Sequence, residues 1–189
     1  MSWRQLIVLG FAAFAASCGG DSNESIDTSS DQQFLEDTAA AHEGDTPAPS
    51  PVAEVPPGRP VLGTALAYGE SAERNLVGFV AMPEDAAEPL PGIIVIHEWW
   101  GLNDNIRSMA ERIAAEGYIA LAVDLYGGRV AEDPAQAQEY MGDMNADPEA
   151  IRANLQQAHE YLTQYAFSPK VGTLGWCLGG GVSLNAGLW

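Results

Sequence analysis

Ile93-Ile94-Val95-Ile96 is the stretch that most limits the folds open to this chain. Four consecutive branched apolar residues leave no polar alternate face for water, so a strand here is buried on both sides. Such a strand belongs inside a sheet covered by helices on both faces, with parallel neighbours. The flanking sequence supplies the parts. Ile106, Met109, Ala110, Ile113 and Ala114 recur at helical spacing, which predicts a helix from about Asn105 to Glu116, stopped by Gly117. Tyr118 to Val123 then reads as a second buried strand ending at Asp124.

Upstream, residues 61–69 and Asn75 to Met82 have strand composition and are separated by polar Glu70 to Arg74, the pattern of a hairpin. Downstream, Asp133-Pro134 and Asp147-Pro148 each set a helix cap before a proline at the first helical position, and the second helix should run to about Tyr165. Lys170 to Leu174 is expected as the last strand, Gly175 to Gly179 as a tight turn, and Gly180 onward as a further helix. Strands alternating with helices define an α/β fold with a mainly parallel sheet. The 189 residues leave room for one domain, or for part of a larger one.

Open parallel sheets place their ligands at the carboxyl ends of the strands, and the chemistry-bearing residues gather there. Gly175-Trp176-Cys177-Leu178-Gly179 is G-x-S-x-G with cysteine in the nucleophile slot, between a predicted strand and a predicted helix. A nucleophile elbow needs that context, and it needs small residues two before and two after the nucleophile because the turn presses backbone together. The start of the helix also offers backbone N–H groups and a dipole that favour negative charge. The alternative is a buried structural cysteine in a glycine-rich turn.

His97-Glu98-Trp99-Trp100-Gly101 follows the buried strand directly. A zinc-protease helix would need a second histidine where Gly101 stands. The glycines at 175, 179, 180 and 181 lack the Lys and Ser/Thr of a phosphate loop and the spacing of a dinucleotide fingerprint. No cofactor and no metal is implied.

These motifs together, His97-Glu98-Trp99-Trp100-Gly101-Leu102-Asn103, Asp124-Leu125-Tyr126 and Gly175-Trp176-Cys177-Leu178-Gly179-Gly180, resemble the dienelactone hydrolase family of α/β-hydrolases. The resemblance covers roughly the second half of the chain. It implies an α/β-hydrolase fold and a Cys-His-Asp triad that opens lactones or cleaves esters through an acyl-enzyme. Cys177 matches the nucleophile, and Glu98 matches an acidic residue that holds the resting thiol. The backbone N–H groups of Leu178 and Trp99 match the oxyanion hole. Glu98 has an alternative as a solvated or capping carboxylate. The family's Asp and His lie downstream of the nucleophile, whereas this chain stops at Trp189, so a C-terminally truncated, inactive and unstable fragment of a longer hydrolase is expected. His97 is expected to be structural and His159 to lie on a helix surface. Arg129 is near the right strand end but matches no substrate-binding arginine. Trp99, Trp100 and Trp176 suggest an apolar pocket wall, or simply core packing.

The N-terminus differs in kind. Arg4 precedes an apolar and small run from Leu6 to Ala16 that ends at Ala15-Ala16-Ser17-Cys18, the layout of an export signal too short to span a bilayer. It resembles a bacterial lipoprotein signal over residues 1–18, which implies acylation of Cys18 and a membrane-anchored, exported protein; an ordinary signal with a chance cysteine is the alternative. Ala15 departs from the leucine commonest at its position. Residues 19–60 carry nine acidic residues against one basic, with Pro47, Pro49, Pro51, Pro56, Pro57 and Pro60 in the second half. This composition predicts a disordered tether reaching about 35 Å, with His42 as a solvated side chain. The globular domain then occupies 61–189.

Charge narrows the partners. The chain has 26 Asp+Glu against 8 Lys+Arg, a formal charge of -18, and Lys170 as its single lysine. Such a surface repels nucleic acid and offers no polybasic patch to anionic lipid. Two readings remain: a lipid-anchored cysteine hydrolase of small ester or lactone substrates, and a non-catalytic, membrane-tethered binding module on the same fold. A thiol redox role lacks a C-x-x-C spacing.

Overall fold

The computed structural model describes Gln33, Asp37, residues 40–51 and residues 53–188. The expected export signal, Cys18, most of residues 19–39, Val52 and Trp189 lie outside the described residues. The elements run β1 (Val61–Glu70), β2 (Asn75–Pro83), β3 (Gly92–Ile96), α1 (Asp104–Ala115), β4 (Ile119–Val123), α2 (Pro134–Asn145), α3 (Pro148–Glu160), β5 (Val171–Gly175) and α4 (Leu178–Ala186).

The five strands form one sheet in the order β1-β2-β4-β3-β5. β2 pairs antiparallel with both β1 and β4, while β3 pairs parallel with β4 and β5. Only β2 therefore runs against the others, and the carboxyl ends of β1, β3, β4 and β5 share one edge. The predicted hairpin is β1 and β2, with a register shift between Ala67 and Gly69.

Alternation along the two central strands assigns their faces. Val95, Ala120 and Ala122 meet Ile106, Ala110 and Ala114 of α1; alanines on both surfaces let that helix approach closely. Ile94, Ile96, Leu121 and Val123 point the other way, toward Leu155 and Ala158 of α3 and Val182 of α4. Each fully buried Ile or Leu of this set contributes about 1.5–3 kcal/mol by transfer from water.

The caps form where the sequence places them. Asp133 accepts from the Gln136 N–H and Asp147 from the Ala150 N–H, each followed by proline, and Asn103 caps α1 through the Ile106 N–H. The helix expected to reach Tyr165 does so in altered form, because Tyr161–Tyr165 is a π-helical turn in which the Ala166 N–H reaches the Tyr161 carbonyl at 3.1 Å. Thr163 Oγ1 donates back toward the His159 carbonyl at 2.9 Å, the kind of competing bond that loosens a helix.

Residues 42–59 depart from the expectation of a free tether. They touch the domain at several points, among them Ser50 at Asn105 and Val55 at Arg112. A proline-rich segment has no ladder of its own, so local turns and side chains of the helix satisfy parts of its backbone.

Candidate active site

β5 ends in a backbone turn that few sequences permit. Cys177 has φ 52 and ψ -120, a left-handed conformation costly for a residue with a Cβ. Its neighbours explain how the turn is made. A Cβ on Gly175 would overlap the Gly179 carbonyl, and one on Gly179 would run into the Ile96 and His97 carbonyls, the latter at 2.6 Å. Gly181, by contrast, faces open space, and Gly180 meets ordinary contact distances. The two glycines of the motif are thus imposed by close backbone approach, while the two after it are not.

The turn leaves Cys177 exposed and, among the described residues, unpaired, at the N-cap of α4 with no capping bond from its side chain. A buried structural cysteine is excluded. The Gly180 N–H bonds the Cys177 carbonyl at 3.0 Å, which closes the first helical turn behind it. Among the described residues, the N–H groups of Leu178 and Trp99 donate to no acceptor. Register pairs Ile96 with Gly175, so the residues that follow β3 and β5 emerge side by side.

Glu98 stands on the β3 side of this junction. It is half-buried, and burial pushes its carboxyl above the ordinary glutamate range. Among the described residues that carboxylate accepts no hydrogen bond, and none joins it to Cys177. The hydrogen bond that the resemblance implies between Glu98 and the resting thiol is absent among the described residues.

His97 is structural, as expected. It is fully buried; its Nε2 accepts from the Leu125 N–H at 3.1 Å, which leaves Nδ1 to donate to the Glu98 carbonyl at 2.6 Å. Burial holds its pKa below the ordinary histidine value, and the neutral ring straps the end of β3 to the end of β4. Tyr126 packs edge-to-face with it, centroids 4.6 Å apart, and among the described residues the buried Tyr126 hydroxyl has no hydrogen-bond partner.

The other sequence candidates fall into place around this strap. Asp124 clamps its own loop, accepting from the Tyr126 N–H at 2.8 Å and from the Gly128 N–H. Arg129 is committed to the Tyr126 carbonyl, to Asp143 at 2.7 Å and to the face of Tyr140. His159 is exposed on α3. Trp99 and Trp100 are buried and pack at 4.9 Å with Leu178 against them, so they are core residues beside the elbow.

Sequence reasoning missed His42. Its ring lies on Trp99 with centroids 5.0 Å apart, and its Nδ1 is 2.7 Å from Asp45 Oδ2. No local signal marks such a long-range contact. A cleft of about 830 Å3 lies elsewhere, between the β1–β2 turn, the 124–130 loop and α3; it is lined by Arg74, Asp124 and Asn154 and by none of the residues at the elbow.

This sheet order, with an exposed cysteine on a strained strand-to-helix turn at the carboxyl edge, defines an α/β-hydrolase. The chain belongs to the dienelactone hydrolase family, whose model matches residues 76–187. It is 37% identical over 113 residues to protein usf of Aquifex pyrophilus, covering 57% of this chain and 48% of that protein. It is 33% identical, with the same coverage, to an Aquifex aeolicus protein carrying the provisional name carboxymethylenebutenolidase. A solved structure of a dienelactone hydrolase-like promiscuous phosphotriesterase from metagenomic libraries matches at a TM-score of 0.60 and 29% identity, over 67% of this chain and 53% of that one. The chain spans about half the length of the curated relatives it matches.

Proposed function

We propose that the protein hydrolyses carboxylic esters or lactones through an acyl-enzyme on Cys177. The observation that carries this reading is the elbow: a strained, exposed cysteine followed by the Leu178 N–H and near the end of β3, where the Trp99 N–H, like that of Leu178, donates to no acceptor among the described residues. The thiolate Sγ attacks the carbonyl carbon, and the oxyanion that forms accepts hydrogen bonds from those two donors. Collapse breaks the carbonyl carbon–oxygen bond to the leaving group, which takes a proton and departs as alcohol. Water then attacks the thioester, releasing the acid and returning the thiol. Ester and water thus give acid and alcohol, with no net redox change.

The proton-transfer groups are not supplied by His97, whose ring nitrogens are both engaged, nor by His159, exposed on α3. The relatives' greater length is where we assign the remaining Asp and His, so the 189 residues alone are expected to be inactive. We further propose that Cys18 is acylated after export and that the domain works at a membrane surface facing the periplasm or cell exterior. Labelling with a radioactive fatty acid, lost in Cys18→Ser, checks the anchor.

The deciding experiment uses the complete reading frame with a chromogenic ester. A stoichiometric burst of chromophore in the wild type, absent in Cys177→Ala, is expected. A folded wild-type protein without a burst overturns the hydrolase reading and leaves a tethered binding module.

A further inference from the structure

Residues 42–51 and 53–59 touch the domain along α1 as a strap. Arg59 pairs with Asp85, just after β2. The Val55 carbonyl then accepts from Arg112 Nη1 in the last turn of α1 at 2.9 Å, and the Ser50 N–H donates to Asn105 Oδ1 in its first turn at 2.9 Å. Read backward from the domain, the contacts therefore climb α1 by about 10 Å, toward the end that faces the site. Along this path the Ala53 N–H closes a turn on the Ser50 carbonyl at 2.8 Å.

At the top of this climb the strap delivers His42 to Trp99. Asp45 holds the imidazole by its Nδ1 at 2.7 Å, which sets the ring's orientation. Trp99 is only 7% exposed, with Trp100 on one side and His42 over another part of its surface. It follows Glu98 in sequence and packs with Leu178, the residue next to Cys177. A segment whose composition reads as a spacer thus reaches a tryptophan of the cluster against which Leu178, the residue after Cys177, is packed.

We propose that His42, held by Asp45, is a specificity-determining wall of the site, covering Trp99 and limiting the bulk of the acyl or leaving group that reaches Cys177. The inference rests on Cys177 being the reactive group. Removing the imidazole uncovers an indole surface and leaves a ring-sized space beside it, which suits an aromatic substituent. Compact esters and lactones pass in the strapped state, whereas aryl-substituted ones are held back.

The test compares two thiol reagents on the protein of the complete reading frame: iodoacetamide, which is compact, and N-phenylmaleimide, which carries an aryl group. Labelling at Cys177 is followed by mass spectrometry of its peptide. In His42→Ala the rate with N-phenylmaleimide should rise about fivefold relative to that with iodoacetamide, a change in barrier height read directly from the rate ratio. Arg112→Ala, which loosens the strap at Val55 and touches no group of the site, should move the ratio the same way by about twofold. An unchanged ratio in both variants overturns the proposal. A loss of reactivity toward both reagents alike in His42→Ala also overturns it, because the imidazole would then be activating the thiol rather than walling it. So does a wild-type Cys177 that labels with neither. The readout does not need ester turnover, so a shifted ratio without an ester burst separates a failure of the hydrolase reading from a failure of this one.

Discussion

β4 and β5 flank the same strand, are five residues long and run in the same direction, yet their burial is opposite. All five residues of β4 are buried, whereas β5 alternates between half-buried and exposed, with Leu174 36% exposed. The cause is coverage. β4 lies between α1 on one face and α3 on the other, while β5 has α4 on one face, and α4 itself shows Leu184 at 71% and Leu188 at 80% exposure. The candidate site straddles this divide. Its positioning groups, His97 and the Tyr126 loop, hang from the tightly packed side, and its thiol hangs from the lightly packed one.

Core truncation should separate the two sides most sharply. Leu121→Ala in β4 removes a fully buried side chain and is expected to cost about 3 kcal/mol, while Leu174→Ala in β5 should cost less than about 1 kcal/mol, both read from urea unfolding. Equal losses would mean that β5 is covered as well as β4 in solution.

The elbow gives the next effect. Gly179→Ala forces a Cβ against two backbone carbonyls and should destabilise by about 2 kcal/mol, whereas Gly181→Ala meets nothing and should be neutral or stabilising by up to about 1 kcal/mol. Thermal unfolding of the pair checks whether the two motif glycines alone bear the close approach. A Gly179→Ala protein as stable as the wild type would contradict the packing of α4 against the end of β3.

The smallest effect concerns His97 and pH. Its folded pKa lies below its unfolded value, so the unfolded chain takes up the proton more readily. The stability it contributes is present above the ordinary histidine pKa of about 6.5 and is lost as pH falls below it. His97→Leu should flatten that acid limb and cost about 1.5 kcal/mol at pH 8, because the Leu125 N–H loses its acceptor. An unaltered acid limb in the variant would place the titration on another group.

Much of this was legible in particular residues. The run Ile93 to Ile96 announced a doubly covered strand because no polar residue interrupts it, and Asp133-Pro134 and Asp147-Pro148 announced helix starts because capping is local chemistry. Cys177 was readable for the same reason: a strained turn needs glycines at set distances. Where the outcome depended on contacts between distant residues, the sequence was silent. His42 on Trp99, Ser50 on Asn105 and the buried Tyr126 hydroxyl depend on packing between segments far apart in the chain.

The sequence by itself determined the elements, their order and the strained turn that carries Cys177, because periodicity, capping and glycine sterics act over a few residues. Tertiary structure alone decided that an acidic, proline-rich segment lies along α1, and which partners, the Leu125 N–H and the Glu98 carbonyl, His97 ties together. Those outcomes depend on which surfaces meet once the sheet has formed, and on which buried polar groups find partners there.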